Sequence, residues 1–448
     1  MELKNKIIYL AFLLLVTCIV SNSCSDKTVK EVSSTDWVSL AMKTENYIQK
    51  AKYSSPYGTT WKVMPDSLES IGRLALYNGT PGVILFYLEL YQATNNKEYL
   101  KEAESGADFL IDNIPYVKPG LYTGLSGIGF TLKELYKITN DSKYKNAVIK
   151  IVELLESSSE SSPNGIHWGK VNDIISGSAG IGLFLYDISD EFNYKKADSL
   201  AILVAEGLID NAVDTLGGFR WKISSSHSKY MDNFSHGTAG VSYFLSETYL
   251  RTKNKKFLNA ALKAGNTLNE LSNDKGYISH HIPGGEELYY LSWCHGPAGT
   301  SKLYYSLYKS TGNEKWLDKI LLSANSLMQE EITTQQLPGF WNNVGKCCGS
   351  TGVAEHYLWL YNTFGNDEYL NFSNQMTTQI IANSSTENNQ MKWVHAENRR
   401  DTTEIAAQTG LMQGSAGIGM WFLRFDAFKN NREYSVKLPD EPKTRMIE

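Results

Sequence analysis

Two kinds of apolar pattern alternate along the chain. The first is a solid block that follows a Gly-x-x-Gly: "NGTPGVILFYLELY" (78–91), "TGLSGIGFTLKELY" (123–136), "SGSAGIGLFLYDIS" (176–189), "HGTAGVSYFLSETY" (236–249), "HGPAGTSKLYYSLY" (295–308), "CGSTGVAEHYLWLY" (348–361) and "QGSAGIGMWFLRFD" (413–426). Apolar residues on nearly every face predict helices buried on nearly every face. The leading glycines are Gly79, Gly124, Gly177, Gly237, Gly296, Gly349 and Gly414, 45 to 65 residues apart. The second pattern is a stripe. In "NKKFLNAALKAGNTLNEL" (254–271) apolar residues fall at 257, 258, 261, 262, 264, 268 and 271, the spacing of an amphipathic helix. Similar stripes run over 36–51, 96–114, 141–157, 193–211, 313–331 and 366–383, several opening on Asn or Asp, residues suited to capping a helix start.

Seven buried helices alternating with seven striped ones predict an all-α fold, a seven-fold α/α toroid with the Gly-x-x-Gly helices as the inner ring. Glycine at each inner helix start permits a tight turn and a close approach of neighbouring chain. An open solenoid is the alternative, but its end units would need polar caps, and the terminal repeats show none. Regular repeats without a linker make residues 35–430 one domain. Strand-like pieces lie at 165–170, 217–222, 338–343 and 391–396, each with a tryptophan, expected to pack the rim or line a cleft.

Composition narrows the partners. A formal net charge of −5 supplies no basic field for nucleic acid. At the N-terminus, Lys4 and Lys6 precede an apolar run over 7–20 and then "SNSCSDK", the layout of an export signal. That run is shorter than the roughly 20 residues of a membrane-spanning helix. Cys24 follows small polar residues as in a bacterial lipoprotein signal, although Ser21 stands where Leu is usual. The expected organisation is a signal over 1–23, a lipid on Cys24, a tether over 24–34, the toroid, and a C-terminal tail over 431–448. Plain cleavage and a retained anchor are the alternatives. The expected location is the bacterial cell envelope, held to the membrane through that lipid.

Removing the signal and acylating Cys24 leaves Cys294, Cys347 and Cys348, an odd count for a disulfide framework. Counted back from the leading glycine of each repeat, Cys294 and Cys347 both stand two before it. Cys348, His295 and His236 stand one before it, and Asp173 four before. In a closed toroid equal register means the same end of the barrel, so these side chains should converge. Three thiolates from two neighbouring corners can make three sides of a Zn2+ tetrahedron with the fourth position open. Inner-helix N-termini favour the thiolate. A vicinal disulfide between Cys347 and Cys348, or three buried free thiols, are the competing readings.

The seven repeats together with "SWCHG" and "KCCG" resemble the lanthionine synthetase C-like family over about residues 35–430. The resemblance implies a toroid with one catalytic zinc that activates a thiol for addition to dehydroalanine or dehydrobutyrine. It implies Cys294, Cys347 and Cys348 as zinc ligands, the last in place of a usual histidine, with His236 and Asp173 serving proton transfer. His295 stands where the family has Tyr or His after the first zinc cysteine, and an orienting or protonating role is open to it. Tyr290 stands where the family has an arginine, which removes an expected enolate-stabilising group. His280 and His281 are expected to face solvent. The reading is a monomeric thioether-forming enzyme acting on a peptide or thiol substrate. The alternatives are a zinc-containing peptide-binding protein and a carbohydrate-active toroid, which would need a pair of acids across its cleft.

Overall fold

The computed structural model describes residues 35–442 apart from 66–72, 216, 225, 333–336, 397–398 and 404. The export signal, Cys24 and most of the tether lie outside the described residues. Helix α1 (Trp37–Ile48) comes first. Six pairs follow: α2 (Thr80–Thr94) with α3 (Lys97–Asn113), α4 (Leu125–Thr139) with α5 (Ser142–Ser157), and α6 (Ser178–Phe192) with α7 (Lys195–Asp210). Then come α8 (Thr238–Thr252) with α9 (Lys255–Leu271), α10 (Pro297–Thr311) with α11 (Lys315–Met328), and α12 (Ser350–Phe364) with α13 (Asp367–Ala382). Helix α14 (Ser415–Lys429) is last. None of the described helices is long and apolar enough to cross a membrane.

The even-numbered helices are the apolar blocks, and each takes its leading glycine as N-cap. Five of the seven striped helices start differently: Asp36, Asn96, Asp141, Asn254 and Asn366 accept backbone N–H groups of the first turn, satisfying donors that a helix start leaves orphaned. Each even-numbered helix packs on the next and α14 packs on α2, so the inner ring is closed. Helix α1 completes the outer ring by packing on α14, where the Trp37 ring meets Phe425 edge-on at 4.9 Å.

Closure is also written in the backbone. The residues two before each leading glycine are Tyr77, Tyr122, Ile175, Ser235, Cys294, Cys347 and Met412. Tyr77 N–H donates to Tyr122 O (2.9 Å), Tyr122 to Ile175 O (2.8 Å), Ile174 to Ser235 O (3.2 Å) and Ser235 to Cys294 O (2.9 Å). Cys294 then donates to Cys347 O (3.0 Å), Cys347 to Met412 O (2.8 Å) and Met412 back to Tyr77 O (2.8 Å). Seven loops from seven repeats are thus laced edge to edge into one hydrogen-bonded hoop, and every one of these buried donors has its acceptor.

Short antiparallel hairpins decorate this end: β1 (Lys52–Ser55) with β2 (Gly58–Trp61), β3 (Glu160–Ser161) with β4 (Ile166–His167), β5 (Val213–Thr215) with β6 (Gly218–Arg220), and β7 (Ser385–Glu387) with β8 (Gln390–Lys392). A last pair joins β9 (His395–Ala396) to β10 (Ile405–Ala406). Three of the four strand-like pieces fall here; the fourth, 338–343, has only the bridge Leu337–Phe340. Their tryptophans are packing residues. The indoles of Trp168, Trp221 and Trp393 donate to Leu155 O (3.0 Å), Leu208 O (2.7 Å) and Ile380 O (2.7 Å), each in the last turn of an outer helix.

The segment after α14 belongs to the fold: Val436, Leu438 and Asp440 are buried. Replacing the seam residue Trp37 by alanine removes a large buried ring at the closure and is expected to cost about 3–5 kcal/mol. Urea unfolding measures it, and a loss below about 1 kcal/mol would show that the outer ring closes without that contact.

Candidate metal centre

The hoop carries the chemistry. Cys294 sits at the α10 corner and Cys347 and Cys348 at the α12 corner; their exposures are 4%, 4% and 9%. Cys348 Sγ lies 3.2 Å from Cys294 Sγ and 3.4 Å from Cys347 Sγ, and all three sulfurs fall within 4.8 Å of one another. They are free thiols, so the vicinal-disulfide reading does not describe this chain. Among the described residues this is the one group of three or more His, Cys, Asp or Glu side chains placed to hold a metal ion.

The donor set fits a tetrahedral cation. Zinc–sulfur bonds of about 2.3 Å place sulfurs about 3.8 Å apart, so the two pairs that Cys348 makes need to open by only about half an ångström. Its protonation points the same way. Burial opposes ionisation of Cys347, yet hydrogen bonds from Cys294, Cys348 and Tyr77 hold its thiol well below the usual range. Burial and its thiol neighbours push Cys294 well up. Three thiols packed together out of water, one of them shifted toward the thiolate, suit a cation.

The backbone has to come close for this. A Cβ on Gly352 would lie 2.1 Å from Lys346 O and 2.3 Å from Ser292 Oγ, so only glycine lets α12 start against its neighbour. Ser292 Oγ donates to Gly349 O at 3.0 Å and ties the two cysteine corners together. Gln413 Nε2 reaches Cys348 Sγ at 3.8 Å, and its own Oε1 accepts from Asn343 (3.0 Å).

Beside the thiols stand the other expected site residues. Asp173 Oδ1 accepts the N–H groups of Ser176 (2.8 Å) and Gly177 (2.9 Å), and Oδ2 lies 2.7 Å from His236 Nδ1. Burial opposes the charged imidazole, but the hydrogen bond and charge of Asp173 raise the His236 pKa above its ordinary value. With Nδ1 committed to Asp173, Nε2 is the nitrogen left for chemistry. His295 is buried and stacked on His280 at 4.2 Å. Burial, then the charges of His280 and His236, keep it neutral, and its Nδ1 is without a partner.

Four groups were not legible as site residues. His281 is 5% exposed, and His280 packs 4.3 Å from the Tyr290 ring, its pKa lowered by burial and then the His281 charge to about 3. The expectation that this pair faces solvent is therefore corrected: the loop folds inward over the triad. Tyr77 shares the register of Cys294 and Cys347, and that position was the available signal. Arg399 had none, since it lies on a loop outside any repeat register; its guanidinium hydrogen-bonds the Tyr290 hydroxyl next to Cys348 and Cys294.

A pocket of about 350 Å3 opens onto Cys347 and His236 and is lined further by Tyr77, Asn78, Thr123 and Arg73. Among the described residues no carboxylate lines it.

Fold and site together define an α/α toroid with a cysteine-lined centre at the entrance to its inner ring. The chain belongs to the lanthionine synthetase C-like protein family, whose model matches residues 70–438. It is similar to the nisin biosynthesis protein NisC of Lactococcus lactis subsp. lactis, 24% identical over 344 residues, or 69% of this chain and 80% of that one. Among solved structures it is similar to nisin cyclase, with TM-score 0.61 and 21% identity over 79% of this chain and 89% of that one. The fold is shared more widely: a GH76 alpha-mannanase of Bacteroides thetaiotaomicron matches with TM-score 0.53 and 12% identity over 90% of this chain and 99% of that one.

Replacing Asp173 by asparagine keeps an acceptor for the Ser176 and Gly177 amides but removes the charge facing His236. The His236 pKa is expected to fall, read by NMR titration of the imidazole. Because the native value is raised, the pair stabilises the fold fully below the ordinary imidazole pKa of about 6.5 and loses that contribution as pH climbs through the raised value. An unchanged His236 titration in Asp173→Asn would contradict the pairing.

Proposed function

We propose that this protein is a zinc-dependent enzyme that adds a thiol across the double bond of a dehydroalanine or dehydrobutyrine residue, forming a thioether in a peptide. The observation that carries the reading is the meeting of three thiols from two corners with the Asp173–His236 pair over one pocket. The similarity to NisC and nisin cyclase supports it.

Cys294, Cys347 and Cys348 would hold the zinc, whose Lewis acidity would keep a substrate thiol ionised at neutral pH. The chain's own groups do the rest. The Tyr77 hydroxyl, kept protonated by burial and by the cysteine charges, donates to Cys347 and fixes that corner. The incoming sulfur forms a bond to the β-carbon, the double bond is lost, and the α-carbon takes up one proton. His236 moves that proton at Nε2 while Asp173 holds Nδ1. Negative charge gathers on the substrate carbonyl oxygen during attack. Arg399, which reaches Tyr290, and Arg73, which borders the pocket, are the cations available to it. His295, neutral, buried and unpaired at Nδ1, lines the site without carrying charge.

The carbohydrate-active reading loses ground because Asp173 spends both oxygens inside the protein and, among the described residues, no acid borders the pocket. For location, we propose export and anchoring through a lipid on Cys24; a Cys24→Ser variant should then leave the membrane fraction, and one that stays membrane-bound would argue for a retained helix.

Elemental analysis of protein lacking residues 1–24 tests the centre. About one zinc per chain is expected, with loss or marked weakening in Cys348→Ala. Protein purified reduced and without chelators that holds no zinc sinks the reading. His236→Ala is expected to keep the metal and lose about 10²–10⁴-fold in thioether formation on a dehydroalanine peptide. Unimpaired turnover would remove His236 from the mechanism, and binding without turnover in the parent would favour a peptide-binding protein.

A further inference from the structure

The residues just before the metal cysteines are Trp293 and Lys346. Both are buried, both carry a hydrogen-bonding head, and both lead to the same place. Trp293 Nε1 donates to Asp440 Oδ2 at 2.9 Å. Lys346 Nζ binds the carboxylate of Glu355 at 2.7 Å; Glu355 faces Arg424 at 3.7 Å, and Arg424 forks onto Glu441 at 2.9 and 3.1 Å. Two adjacent acids of the C-terminal segment thus reach the two cysteine corners, Asp440 by contact with Trp293 and Glu441 through Arg424 and Glu355 to Lys346.

The path of that segment explains how. Beyond α14, Ser435 and Val436 bind Glu89, ten residues into the first inner repeat. Asp440 meets Lys302 Nζ at 2.7 Å, six residues into the fifth. The chain has turned back into the hole of the inner ring and climbs toward the hoop. At the top, Asp440 is fully buried and also accepts the Tyr122 hydroxyl at 2.8 Å. Tyr122 is the hoop residue of the second repeat, its ring 5.1 Å from Trp293. One carboxylate therefore joins the second repeat to the fifth across the barrel, immediately behind Cys294.

We propose that Asp440 and Glu441 are positioning residues of the metal centre, a two-carboxylate clamp that sets the separation of the Cys294 and Cys347–Cys348 corners from inside the toroid. The proposal rests on the reading of those three thiols as a metal site. Partners that orient ligands from behind typically govern metal affinity by about 10–100-fold. The Trp293 indole and the Lys346 chain are such partners, one residue removed from the sulfurs. A purely structural plug would stabilise the barrel and leave the geometry of the sulfurs to the hoop alone.

The test compares Asp440→Asn, Glu441→Gln and the double variant of the full-length chain with Trp316→Phe, a buried outer-ring change (α11) far from the centre. Zinc affinity is read by competition with a chromophoric chelator, and thiolate geometry by the visible bands of the cobalt-substituted protein. Both acid variants should weaken zinc by about 10–100-fold and shift the cobalt bands, while Trp316→Phe moves Tm and neither of these. Metal-free protein supplies a separate readout: Cys294 should alkylate faster with N-ethylmaleimide in Asp440→Asn, and Cys347 in Glu441→Gln, below the temperature at which either unfolds. Metal affinity, cobalt bands and alkylation that follow Tm alone, in acid variants and control alike, would overturn the clamp. A parent protein that binds neither zinc nor cobalt would overturn the metal reading instead, and the alkylation rates would then decide whether the acids hold the corners.

Discussion

Everything at the working end of this protein hangs from the hydrogen-bonded hoop that links the seven loops. Six of the seven hoop residues offer an N–H to the next repeat, with Ile174 donating in place of Ile175, and all seven offer a C=O to the previous one, so no loop can shift without breaking bonds on both sides. Side chains at that register are therefore delivered to the axis from fixed directions. Two of the seven are Cys294 and Cys347, which are consecutive in the hoop and bonded to each other through the backbone at 3.0 Å. The spacing of the two cysteine corners is set here by peptide hydrogen bonds.

The hoop also accounts for the glycines. A helix that begins at the hoop must pass its first turn against the loop of its own repeat and that of the repeat before it. At Gly352 both a carbonyl and a hydroxyl occupy the space of a Cβ. The recurring motif is thus the steric condition for bringing seven helix starts together around one axis, and chemistry was placed on the position beside it.

Much of this was legible in the chain. Alternating solid and striped apolar segments fixed the number and order of helices, and equal register placed Cys294, Cys347, Cys348, His295, His236 and Asp173 at one end. What register could not show was anything outside it. Arg399 comes from an irregular loop, and its partnership with Tyr290 depends on how that loop folds over the rim. His280 and His281 read as loop residues because no periodicity marks them, yet the loop turns inward. Tyr77 lay in register but carries a phenol, which no metal-ligand rule would have picked. The segment over 431–442 is short and polar, with acids that look solvated until their partners Lys302, Arg424, Tyr122 and Trp293 are seen to be buried around them.

That segment gives the molecule a particular order of assembly. The first and last described segments perform the two closures: α1 shuts the outer ring against α14, and residues 435–441 fill the hole within. Neither closure can form before the residues from α14 onward have been made, so both come late in assembly. Non-local closure of this kind is entropically slow. A chain cut short by even ten residues would keep every cysteine and every repeat, yet would lack the part that goes in last.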